Sequence, residues 1–121
     1  MLPKVLVAED DPSVRLTIQF VLADEGFEVV LAEDGQEALE LARQLIPDVI
    51  LLDQVMPRLD GKEVFLALRS EDATRSIPVF VLSGLTGDDV EAWGDAVFVG
   101  KPFSPDDLVG RIREAIGHDV A

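Results

Sequence analysis

The sequence contains no cysteine, which excludes disulfide frameworks, cysteine-ligated zinc and thiol nucleophiles, and suits a reducing compartment. Its one histidine, His118, cannot build a histidine-rich metal site alone, and it reads as a solvated residue beyond the last helix pattern. Basic residues are scarce: 10 Lys plus Arg stand against 24 Asp plus Glu, a formal net charge of -14. Such a surface repels nucleic-acid backbones and anionic membranes, so neither is expected as a partner. No apolar run approaches the ~20 residues that a bilayer span needs, and the start Met-Leu-Pro-Lys turns acidic before any signal-peptide apolar region develops. A soluble, cytoplasmic chain is expected.

What is present is a core. Hydrophobic residues make up 48% of 121 residues, too many for a disordered acidic tail and enough for one domain over residues 1–121. Short apolar runs alternate with amphipathic segments. The runs are Lys4 to Ala8, Phe27 to Ala32, Asp48 to Leu52, Pro78 to Leu82 and Asp95 to Val99. Val49-Ile50-Leu51-Leu52 and Val79-Phe80-Val81-Leu82 do not alternate with polar residues, so both faces must be covered, as in a parallel sheet between helices. Asp11-Pro12 opens a helix that carries Val14, Ile18, Val21 and Leu22 to Gly26. Asp34 opens a second, with Ala38, Leu41, Ala42 and Leu45 on one face and Pro47 as its stop. Asp60-Gly61 opens a third around Val64, Phe65 and Leu68. Ser104, Pro105 and Asp107 start a last one that turns Leu108, Ile112, Ala115 and Ile116 inward. Five strands alternating with helices imply a doubly wound α/β sandwich, whose ligands bind beyond the carboxyl ends of its strands.

Those ends carry the chemistry. The first strand is followed by Glu9, Asp10 and Asp11, the third ends in Asp53, the fourth in Ser83 and the fifth in Lys101 before Pro102; the second delivers Glu33 and Asp34. Carboxylates crowded at Glu9, Asp10 and Asp53 repel one another and call for a cation, and a hard ion such as Mg2+ suits them. Lys101 can pair with Asp53 or with a phosphoryl group on it, and Ser83 can donate a hydrogen bond to a phosphoryl oxygen. An aspartate can itself be the nucleophile that forms an aspartyl phosphate.

Taken in order, Val5-Leu6-Val7-Ala8-Glu9-Asp10-Asp11-Pro12, then Asp48 to Asp53 with Met56-Pro57 and Gly61, then Ile77-Pro78-Val79 leading to Ser83, then Phe98 and Lys101-Pro102-Phe103, the sequence closely resembles the receiver domain of bacterial two-component response regulators. The resemblance runs from Lys4 to about Ile116. It implies a flavodoxin-like (βα)5 sandwich with a parallel sheet of order 2-1-3-4-5. It implies that Asp53 is the phosphoacceptor, that Glu9, Asp10 and Asp53 hold Mg2+ with the backbone carbonyl of Val55, that Ser83 is the switch hydroxyl, Phe98 the aromatic that rotates with it, and Lys101 the charge clamp before a cis Pro102. The implied partners are a sensor histidine kinase or phosphotransfer protein and an output domain or protein of unknown kind, with the chain itself a monomer or weak dimer. Three departures stand out: Glu-Asp in place of Asp-Asp, Phe98 in place of the more usual Tyr, and Gly84 where Ala is usual.

Rival readings lack residues they need. A haloacid-dehalogenase type phosphatase wants an acid two residues after its nucleophile, where this chain has Val55; a flavin carrier wants a Ser/Thr/Gly-rich phosphate loop where this chain has three acids. The chain is therefore read as a switch that catalyses only its own phosphorylation and dephosphorylation. Only 17 residues separate Ser83 from Lys101, which predicts a stunted helix over roughly Asp88 to Trp93 and no dimer of the usual kind through that face.

Overall fold

A computed structural model describes residues 2–53, 60–83, 97–100 and 104–117. They form five strands, β1 (Lys4–Ala8), β2 (Glu28–Ala32), β3 (Val49–Asp53), β4 (Val79–Ser83) and β5 (Val97–Gly100), and four helices, α1 (Pro12–Asp24), α2 (Gly35–Leu45), α3 (Gly61–Arg69) and α4 (Pro105–Gly117). Every apolar run becomes a strand within a residue or two of its expected limits. Asp53 and Ser83 are the last residues of β3 and β4, as expected, so the ladder holds the backbone of both. The expected short helix over residues 88–93 lies outside the described residues.

The helix starts follow from local chemistry. Asp11 caps α1 by accepting the Ser13 N–H at 2.9 Å, with Pro12 supplying a fixed φ at the first helical position. Asp34 caps α2 through the Glu37 N–H, also at 2.9 Å. Asp60 and Glu63 form a reciprocal capping box at α3. The Asp107 N–H of α4 lies 3.4 Å from the Ser104 hydroxyl. The ends are less regular. Gly26, at φ +94°, turns the chain from α1 into β2, whereas α2 ends on Ile46 at φ +44°, a left-handed position that β-branched residues adopt only under strain.

All strand pairs are parallel, in the order β2-β1-β3-β4-β5. Alternate residues of each strand feed two cores. Leu6, Ala8, Ile50, Leu52, Val79 and Val81 pack under α2 and α3 against Ala38, Ala42, Val64, Phe65 and Leu68. Val5, Val7, Val49, Leu51, Phe80, Leu82 and Val99 pack on the other face against Ile18 and Leu22 of α1 and Leu108, Val109 and Ile112 of α4. Leu39, unassigned by the sequence reading, is buried as well, while Leu16 and Phe20 leave α1 apolar on its outer side too. This two-faced burial is why the runs show no polar alternation. Among the described residues no helix is long and apolar enough to cross a membrane.

Candidate metal and phosphoacceptor site

The sheet order reverses direction at β1: the chain leaves β1 for β2 on one side and returns to β3 on the other. The connections diverge there, and a crevice opens beyond the carboxyl ends of β1 and β3. Register places the acids around it. Ala8 is opposite Leu52, so the next residues on the two strands are Glu9 and Asp53. One carboxylate oxygen from each of Glu9, Asp10 and Asp53 lies within 4.8 Å of the others.

Their environments differ. Glu9 is only 1% exposed and Asp53 8%, while Asp10 faces solvent. Glu9 continues the β1 ladder by one residue, its N–H donating to the Ala32 carbonyl at 3.2 Å. Its Oε2 accepts the Asp11 N–H at 3.2 Å, and its backbone carbonyl accepts Nη1 of Arg15 at 2.8 Å. Two buried carboxylates beside an exposed one form a hard, anionic, oxygen-only donor set with one side open to water. That set fits Mg2+, which takes one or two carboxylates and keeps several waters. When bound, the ion would offset the mutual repulsion of the three groups and the charge of any phosphoryl oxygen brought among them.

Asp53 lies beside Leu82 in the register of β3 with β4, so Ser83 is one step further along the adjoining strand; Ser83 in turn is aligned with Gly100, the residue before Lys101. Phe98 is aligned with Val81, two steps back on β5. The sheet thus brings Asp53, the acidic pair Glu9 and Asp10, and the strand carrying Ser83 to one edge. Lys101 and Val55, with Met56, Pro57, Gly84, Leu85, Trp93, Pro102, Phe103 and His118, lie outside the described residues.

Two polar residues escaped the sequence reading. Thr74 is fully buried, its hydroxyl donating to the Leu68 carbonyl at 2.7 Å, and it secures the turn that leads from α3 to β4. Arg15 holds the Glu9 carbonyl. Its signal was legible: it shares the i, i+3, i+7 face of α1 with Ile18 and Leu22, and a cation on an inward face must find a polar partner.

A model of the response regulator receiver domain matches residues 5–113. A probable transcriptional regulator, ycf27 of Guillardia theta, is 39% identical over 118 residues, covering 93% of this chain and 45% of its own length. The receiver domain of a Francisella response regulator superposes with a TM-score of 0.88 at 35% identity, over 97% of this chain and 98% of that one. The receiver domain of the sensor histidine kinase PA1611 of Pseudomonas aeruginosa, with magnesium in its active-site cleft, superposes at 0.89 with 29% identity, over 97% and 99%. The chain belongs to the receiver-domain family of response regulators, the phosphorylation-dependent signalling modules of two-component systems. It spans about half the length of the curated relatives it matches.

Proposed function

We propose that Asp53 is the phosphoacceptor of this domain, and that Glu9, Asp10, Asp53 and the carbonyl of Val55 hold the Mg2+ its phosphorylation needs. The observation carrying this reading is the register that sets Asp53 beside the buried Glu9 at the β1–β3 switch point, with Asp10 within reach of both. The ladder fixes the backbone of Asp53 and burial to 8% exposure confines its side chain, so less orientational freedom remains to be lost when a phosphoryl donor arrives.

A phosphohistidine of a sensor histidine kinase or phosphotransfer protein is the donor. An Asp53 carboxylate oxygen forms the new bond to phosphorus as the phosphorus–nitrogen bond breaks, and the electron pair returns to the imidazole, which the solvent reprotonates. Lys101 neutralises charge on the transferred group, and Ser83 donates to one of its oxygens. Loss of that hydrogen bond on hydrolysis releases Ser83 and Phe98, so the phosphorylated and free proteins favour different arrangements of the surface around β4 and β5. The chain catalyses only its own gain and loss of phosphate, in the cytoplasm. The region 1–121 acts as one receiver domain, a monomer or weak dimer, and the greater length of its relatives points to an output domain or protein downstream.

Incubation with acetyl phosphate and Mg2+ tests the reading. The expected result is a single phosphoryl group per chain and none with EDTA; sustained release of phosphate over many turnovers, or labelling without metal, would contradict it.

A further inference from the structure

We propose that Arg15 is a positioning residue for the metal pocket: it aims Asp10 by holding the peptide that joins Glu9 to Asp10. The inference rests on the reading of Glu9, Asp10 and Asp53 as the Mg2+ site. Asp10 is solvent-exposed, so its carboxylate is aimed by its backbone rather than by packing. That backbone is fixed on both sides. The Glu9 N–H is tied to Ala32 of β2 at 3.2 Å, and the Asp11 side chain is committed to capping α1. Between these anchors, the Glu9 carbonyl is the group that sets the rotation of the Glu9–Asp10 peptide plane, and Arg15 Nη1 donates to it at 2.8 Å.

Arg15 is suited to this by its shape. Nη2 of the same guanidinium lies 3.5 Å from Oε1 of Glu33, just after β2, so one planar group spans the ends of two strands from the first turn of α1. A lysine has no such fork. The side chain of Arg15 is 14% exposed and that of Glu33 74%. An ion pair with so exposed a partner contributes little, which leaves the largely buried carbonyl bond as the anchor.

Charge and position predict opposite signs here, which makes the proposal sharp. Arg15 is a cation beside a cation site, so by Coulomb repulsion alone its removal would tighten Mg2+ binding. If it aims Asp10, its removal weakens binding despite the gain in negative potential. Loss of a residue that orients a metal ligand typically costs about 10-fold or more in affinity.

The test is Mg2+ titration of the whole chain by calorimetry at constant ionic strength, for the natural sequence, Arg15→Gln, Arg15→Lys, Glu33→Gln and Asp10→Asn. Thermal stability in EDTA and the amide nitrogen shift of Asp10 are followed in parallel. Arg15→Gln should weaken Mg2+ binding about 10-fold or more and move the Asp10 signal, because its peptide has lost a hydrogen bond at the carbonyl, whereas Arg15→Lys, which keeps an N–H donor for that carbonyl, should fall between it and the natural chain. Glu33→Gln should bind within about twofold of the natural chain. Unchanged or tighter binding in Arg15→Gln, a loss in Arg15→Lys as large as in Arg15→Gln, or a Glu33→Gln loss as large as that of Arg15→Gln would overturn the proposal. So would failure of both Arg15 variants to fold, which would make the residue structural. Asp10→Asn separates the two levels: if it binds Mg2+ as the natural chain does, the metal-site reading itself has failed.

Discussion

Replacing Asp10 by Asn should make this domain more stable without metal and less stable with it. Three carboxylates share a region within which one oxygen of each lies no more than 4.8 Å from the others. At that separation two unit charges repel by about 1 kcal/mol in a fully aqueous dielectric and by about 3 kcal/mol at an effective dielectric constant of 20. Asp10 is exposed, so the lower figure applies to its two pairs, with Glu9 and with Asp53. Asn keeps the shape and removes both repulsions, a gain of about 2 kcal/mol, or about 5–10 °C in melting temperature for a domain of this size. With Mg2+ at a hundred times its dissociation constant, the natural chain recovers about 2.7 kcal/mol by mass action and the variant much less. The two melting curves should therefore exchange order between EDTA and Mg2+. Calorimetry reads this directly. Salt at about 1 M, with its screening length of about 3 Å, should shrink the gain in EDTA. A variant that melts below the natural chain in EDTA and is still raised by Mg2+ would refute the reasoning, since neither repulsion nor metal binding would then involve Asp10.

Three further outcomes are expected. The Arg43 guanidinium, bonded to both carboxylate oxygens of Glu71 at 2.7 to 3.0 Å, ties α2 to the turn after α3 and holds the Glu71 carboxyl below its usual range. Arginine stays protonated throughout, so the stabilisation is complete above the ordinary carboxylate pKa and is lost as pH falls through the lowered value of Glu71. Arg43→Gln should thus be destabilising near neutrality and converge on the natural chain in acid; a difference that does not change with pH would exclude the pair as its source. Ile46, 45% exposed and at φ +44°, sits in a conformation that costs L-residues roughly 1–2 kcal/mol, so Ile46→Asn should raise stability by about 1 kcal/mol in urea titration; a loss would show that Ile46 is not strained. Finally, Val55 and Leu85, two residues beyond Asp53 and Ser83, cannot orient an attacking water by hydrogen bonds. The phosphoryl group should therefore persist well beyond seconds after the donor is removed, and Val55→Asn should shorten its life; rapid loss from the natural chain would count against this.

How far the sequence led depends on the range of the interactions involved. Helix starts at Asp11, Asp34 and Asp60 were legible because a cap is a contact across two or three residues, and Asp60 with Glu63 formed the reciprocal box that their spacing permits. Strand positions were legible because burial on both faces leaves unbroken apolar runs. Strand order was not a matter of pattern: all five runs are equally apolar, and their neighbours are chosen by pairing across the chain, so the order came from family resemblance and the sheet agrees with it. The left-handed end of α2 was hidden because Pro47 signals only that a helix stops, not that Ile46 bears the turn. The acids are marked by their places at strand ends, whereas Arg15 sits within the apolar spacing of α1 and its partner is a main-chain carbonyl that no sequence displays.

The central claim is that Asp53 becomes an acyl phosphate. Borohydride reduces a phosphorylated aspartate to homoserine, leaving a permanent mark at the acceptor. After treatment with acetyl phosphate and Mg2+, then borohydride, peptide mass mapping should find homoserine at position 53 and at no other carboxylate, and should find none in Asp53→Asn. Homoserine at Asp10 or another aspartate, the one-carbon-longer alcohol 5-hydroxynorvaline at Glu9 or another glutamate, or undiminished phosphorylation of Asp53→Asn, would contradict it.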